Sequence, residues 1–87
     1  MLTVKIREED EFIRLGQALK KAGLVDSGVD AKFVVQDGQV KLNDVVETQR
    51  GKKLYGGEVV SYNGQTFQVV KRLLNPLNFV IFGIMRP

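Results

Sequence analysis

Residues 59–70, Val59-Val60-Ser61-Tyr62-Asn63-Gly64-Gln65-Thr66-Phe67-Gln68-Val69-Val70, decide the fold. Two runs rich in β-branched and aromatic residues flank Asn63-Gly64, a pair that tolerates positive φ at both central positions of a two-residue turn. The segment reads as a β-hairpin whose register sets Val60 opposite Phe67, with Val69 on the same side. One face of that hairpin is apolar and needs a cover.

The cover is sought upstream. From Gln39 the apolar period is two: Val40 and Leu42 point one way, Lys41 and Asn43 the other. Asn43-Asp44 reads as a second reversal, with Val45 and Val46 continuing as a strand. Further back, Phe12, Leu15, Leu19 and Ala22 recur at spacings of three and four with Ala18 beside them, which predicts a helix with one buried stripe. The acidic run Glu8-Glu9-Asp10-Glu11 is expected in its first turn, where the helix dipole favours negative charge. Gly23 is expected to end this helix and Ser27 to cap the next, with Asp30 at the third helical position in a variant of the capping box. Ala31, Val34 and Val35 supply the buried side of the second helix, Phe33 lies at its margin, and Gly38 closes it. At the N-terminus, Leu2, Val4 and Ile6 alternate with Thr3, Lys5 and Arg7 as in a half-buried strand. The fold class is α+β: a two-helix hairpin packed on one face of a small, mostly antiparallel sheet.

A chain of 87 residues makes one domain, residues 1–87, with a core just large enough to fold alone. It contains neither histidine nor cysteine, which removes the usual zinc sites, thiol nucleophiles, Ser-His and Cys-His arrangements and any disulfide. No enzyme activity, cofactor or metal is expected. The first residues lack the apolar segment and cleavage site of a signal peptide, so the cytoplasm is the expected compartment. The net charge of +3 is unevenly spread. Residues 1–49 carry seven Lys or Arg against nine Asp or Glu, whereas residues 50–87 carry six against Glu58 alone. Such asymmetry implies a basic face.

The densest part of that face is Arg50-Gly51-Lys52-Lys53, between the two strand pairs. It offers charge, reach and, through Gly51, close backbone approach, which suits phosphate contact. Its bland alternative is a solvated loop. Lys20 and Lys21 are candidate contacts that also suit a helix C-terminus, and Lys32 projects from the second helix. Lys41 stands on the polar side of its strand. Ser27 serves first as a cap and Asn43 first as a turn residue. Tyr62 is the aromatic of the last hairpin with a claim to base stacking.

The pieces LGQALKKAGLVDSG, AKFVVQDGQVKLND, VETQRGKKLYGGEVV and FQVV, in this order over residues 15–70, resemble an S-four RNA-binding domain. They are most similar to its free-standing, single-domain bacterial form. Lys20, Ser27-Gly28, Ala31-Lys32, Val40-x-Leu42-Asn43, Arg50-Gly51-Lys52-Lys53-Leu54 and Gly57-Glu58 match or nearly match that family's pattern. Val29 replaces a second glycine, Asp44 a turn glycine and Gln49 the first arginine of the basic pair. The resemblance implies the S-four-like (alpha-L) fold and a non-catalytic module that recognises structured RNA, mainly ribosomal, in ribosome biogenesis. The RNA-binding residues it implies are Lys20, Lys21, Ser27, Lys32, Lys41, Asn43, Arg50, Lys52 and Lys53.

The tail, residues 73–87, lies beyond the resemblance. Its apolar run from residue 79 to residue 85 is too short to span a membrane, which takes about 20 residues, so no membrane partner is expected. An added strand completing the sheet is the first expectation. A homodimer contact or a contact with ribosomal proteins is the second. The alternative function is accordingly a protein-interaction module that uses the tail.

Overall fold

The computed structural model describes residues 2–71, and the expected tail strand or tail-mediated dimer contact lies outside them. In chain order the elements are β1 (Leu2–Ile6), β2 (Ile13–Arg14), α1 (Leu15–Lys21), α2 (Gly28–Gln36), β3 (Val40–Leu42), β4 (Val45–Val46), β5 (Lys53–Leu54), β6 (Val59–Tyr62) and β7 (Gln65–Lys71). Five strands form one sheet in the order β1-β7-β6-β3-β4, and β2 pairs with β5 in a separate two-stranded ribbon.

The deciding hairpin has the register read from its sequence, with Val60 opposite Phe67. Both reversals place two consecutive residues in the left-handed region: Asn43 and Asp44 at φ 51° and 68°, Asn63 and Gly64 at φ 54° and 77°. Asp44 stands where a glycine would relax most easily, and Asn and Asp are the side chains that tolerate this region best. The first turn is also tied sideways. Asn43 donates its amide to the Val59 carbonyl at 2.8 Å, and its Oδ1 accepts from the Val59 amide at 2.9 Å.

The leading strand pairs parallel to β7, with Val4 beside Val69. A parallel pair needs a crossover connection, and both helices with the rest of the sheet lie between the two strands in the chain. Val4 and Ile6 thereby join the core, where Leu15, Leu19, Val35, Val40, Leu54, Val60, Phe67 and Val69 are completely buried. The helix pair covers the sheet through Leu15, Ala18 and Leu19 of α1 and Ala31 and Val35 of α2. Ser27 caps α2, its Oγ accepting from the Asp30 amide at 3.2 Å. Phe33 is far more exposed than a marginal position implies, at 66%.

The start of the first helix corrects the sequence reading. Glu8-Glu9-Asp10-Glu11 do not lie in its first turn, which contains no acidic residue, and Phe12 precedes it. The reason is non-local: residues 13 and 14 are drawn into extended backbone by β5, so α1 begins only at Leu15. The acidic run instead meets Arg7, which pairs with Glu9 and lies 3.7 Å from Asp10. The Glu9 carboxyl is held below its ordinary range, first by the hydrogen bond from Arg7, then by a backbone hydrogen bond and by the Arg7 charge, and the Arg7 guanidinium is raised by the same pairing.

Candidate nucleic-acid interface

The first amides of an α-helix have no carbonyl within the helix to bind. In α1 the basic loop supplies them. The Leu15 amide donates to the Lys52 carbonyl at 2.9 Å, and the Gly16 amide donates to the Arg50 carbonyl at 3.0 Å. Between them, Arg14 Nη1 donates to the Gly51 carbonyl at 3.0 Å. Three consecutive loop carbonyls are thus fastened to the start of α1, and the Lys52 amide closes a turn onto the Gln49 carbonyl at 3.1 Å. The basic loop therefore has an anchored backbone.

The glycine that matters for close approach is correspondingly different. Gly51 has no left-handed φ, and a Cβ added there would meet Arg14 Nη1 at 3.6 Å, an ordinary contact. At Gly16 a Cβ would lie only 2.5 Å from Arg50 Cγ. The stem of Arg50 therefore rests on bare helix backbone, and Arg50 Nη1 reaches the Gly28 carbonyl at 3.4 Å. This lays the guanidinium across the gap between the two helices.

A groove results, lined by Arg14, Gly16, Gln17, Lys20, Gly28, Arg50 and Gly51. Three cations line it and none of its residues is acidic, so nothing in the lining opposes an anion. Gln17 and Lys20 reach it from one face of α1, three residues apart. Lys32 lies four residues after Gly28, on the same face of α2 one turn further along.

Of the residues singled out in the sequence, the structure brings Lys20 and Arg50 together in this groove, and Lys32 is not among its lining residues. Lys52 is exposed on the anchored loop. Lys21 faces elsewhere, donating to the Lys5 carbonyl at 2.7 Å beside a shallow recess that includes Arg7, Asp10 and Phe12. Ser27 is occupied as a cap and Asn43 in holding β6. Lys41 sits on β3 opposite Ser61 and Val46, outside the groove. Tyr62 is half-buried against the core, which weakens its claim as a stacking platform.

Lys53 is placed differently again. In the ribbon Ile13 pairs with Leu54 and Arg14 with Lys53, so the same register carries Phe12 opposite Tyr55. Leu54 points into the core, and its neighbours in the chain alternate to the outer face. There the Phe12 and Tyr55 rings lie 5.8 Å apart at 58°, with Lys53 Nζ 4.9 Å and Arg14 Cζ 5.4 Å from the Phe12 centroid. Phe12, Arg14, Gln17 and Tyr55 were not among the sequence candidates. The available signal was a faint one, an aromatic two residues from a cation in both segments 12–14 and 53–55.

Among the described residues no group of His, Cys, Asp and Glu could hold a metal ion, and no helix is long and apolar enough to cross a membrane. Comparison with known proteins bears on the whole arrangement. Among curated proteins, the probable ribosome maturation protein RlbA of Bacillus subtilis is 44% identical over 63 residues, covering 71% of this chain and 89% of that one. The putative RNA-binding protein YbcJ of Escherichia coli is 40% identical over 58 residues, covering 67% and 83%. The solution structure of YbcJ, described as an ALFAL motif involved in RNA binding, superposes with a TM-score of 0.63 at 36% identity, covering 80% of this chain and 87% of that one. These names describe binding and maturation proteins, not enzymes. The S4 domain profile matches residues 4–70, from β1 through both helices and the loop clamped to them to β7, and the chain belongs to the S4 domain family.

Proposed function

We propose that this protein binds structured RNA, ribosomal RNA foremost, through the groove of Arg14, Lys20 and Arg50, with Lys32 and Lys52 extending the contact. The reading rests above all on one observation: three cations converge on a groove without an acidic lining residue, beside a loop whose backbone is anchored. Anchoring lowers the entropy lost when a phosphate is gripped. Because the major groove of A-form RNA is too deep and narrow for side chains to read, such a surface recognises shape, phosphates and 2′-hydroxyls rather than base identity. RNA binding itself is supported by the S4 family and by relatives named as RNA-binding and ribosome maturation proteins. The proposed setting is the cytoplasm of a bacterium, in the maturation of a ribosomal subunit, and the protein acts there by binding and not by catalysis.

A salt titration of affinity for a ribosomal RNA fragment tests this. With about four phosphates neutralised, log K falls against log salt with a slope of roughly −3 to −4. A variant carrying Arg50→Glu, Lys52→Glu and Lys53→Glu, with an unchanged circular dichroism spectrum, should lose most of both the affinity and the slope. Equal binding by the two proteins would remove the groove from the interface.

A further inference from the structure

We infer that the outer face of the β2–β5 ribbon is a subsite for one unpaired nucleobase, so that the preferred ligand is an RNA stem with an unpaired nucleotide beside it. This rests on the RNA-binding reading above and extends it from phosphates to a base. The ribbon's outward pairs are Phe12 with Tyr55 and Arg14 with Lys53, two aromatics and two cations on one face. Interleaved aromatics and cations are the composition of single-strand binding surfaces, because every base has a π-face and every nucleotide a phosphate.

The four side chains are not equivalent. Phe12 is half-buried, with both cations close to its ring, and serves as a floor. Tyr55 is 54% exposed. Its ring is tilted from Phe12 rather than stacked on it, so the pairing leaves a face of Tyr55 unused. Its backbone is also held: the Glu58 carboxylate accepts from the Tyr55 amide at 2.8 Å and from the Gly56 amide at 2.7 Å. The one acidic side chain of this loop is thereby turned to its own backbone amides. A fixed, exposed aromatic presents stacking area at little entropic cost.

Continuity with the groove comes through Arg14. Its guanidinium donates to the Gly51 carbonyl in the groove lining and stands over the Phe12 ring of the ribbon face, so one side chain forms the wall shared by both. An RNA backbone leaving the groove past Arg14 meets Lys53 next, and the base attached there falls on Tyr55. An uninterrupted duplex has no free base to offer at that point.

The test uses the full chain and three RNAs: a blunt-ended hairpin, the same hairpin with one unpaired nucleotide at its 5′ or 3′ end, and that hairpin with an abasic site in place of the unpaired base. Wild type should bind the RNA with the unpaired base about tenfold more tightly than the other two, within the range that stacking of one base supports. Tyr55→Ala should abolish that preference while leaving affinity for the blunt hairpin unchanged, and Tyr55→Trp should retain it. Wild-type binding of all three RNAs with equal affinity would overturn the subsite and leave the groove standing. A Tyr55→Ala variant that weakens all three equally, or keeps the preference, would overturn it as well. Failure of wild type to bind any of the three would overturn the RNA-binding reading along with it.

Discussion

In the five-stranded sheet, Val60, Phe67 and Val69 turn inward and are completely buried, and β7 has a partner along each edge. In the two-stranded ribbon only Ile13 and Leu54 turn towards the core, and the pairs on either side of them, Arg14–Lys53 and Phe12–Tyr55, stand outward. Two strands of two residues cannot hold themselves together in water. The ribbon persists because Leu54 is buried and because the amides of Leu15 and Gly16 bind the loop that leads into β5. Stability is thus concentrated in the sheet, and the ribbon depends on the core and on α1 for its shape.

Breaking the stable region should have the largest effect. Phe67→Ala should lower unfolding free energy by about 3–5 kcal/mol in urea denaturation, as expected for deletion of a fully buried aromatic. RNA affinity per folded molecule should stay that of wild type. A loss below about 1 kcal/mol would mean that the sheet is not the main store of stability.

In the groove beside the ribbon, where the loop leading into β5 is clamped to α1, Gly16→Ala should give the reverse pattern. A methyl at this position would lie 2.5 Å from Arg50 Cγ, so the arginine must leave the groove. Alanine in a helix is favoured over glycine by about 1 kcal/mol, which offsets part of the local disturbance. Affinity should fall to that of Arg50→Ala, and the double variant should be no weaker than either single one. Additive losses would show that Gly16 does not act through Arg50.

The smallest effect should be that of pH. With no histidine in the chain, neither stability nor RNA affinity should change between about pH 6 and pH 8, measured by urea midpoint and by titration. Glu9, whose folded-state pKa is depressed by Arg7, contributes above its ordinary carboxylate value and loses that contribution as pH falls through the depressed one. The pair is fully exposed, so Glu9→Gln should leave the urea midpoint at neutral pH unchanged within error. A step near pH 6.5 would overturn this expectation, which rests on the absence of histidine.

Both Asn turns, the Ser27 cap, the glycines ending α1 and α2 and the Val60–Phe67 register follow from neighbouring residues, and each has the form expected from the sequence. The placement of Glu8-Glu9-Asp10-Glu11 in a first helical turn failed because periodicity at Phe12 and Leu15 cannot reveal that β5 takes up the two residues between them. The candidate site divides in the same way. Lys20, Lys32, Arg50 and Lys52 were recognisable as charges beside turns and helix ends. Lys21, Lys41 and Asn43 carried the same local signals, and their distant partners direct them elsewhere. Arg14 is tied into the groove by its hydrogen bond to Gly51, far along the chain.

The sequence by itself determined the helix pair, the strands other than β2 and β5, their turns, the apolar faces and the presence of a basic loop, because φ preference, capping and period are properties of a few adjacent residues. Only the tertiary structure decided that this loop is an anchored clamp on α1, that Gly16 makes room for Arg50, and that Phe12 and Tyr55 meet on one face. Those facts depend on closing long stretches of chain, and which distant segments meet is settled by burying the whole core at once.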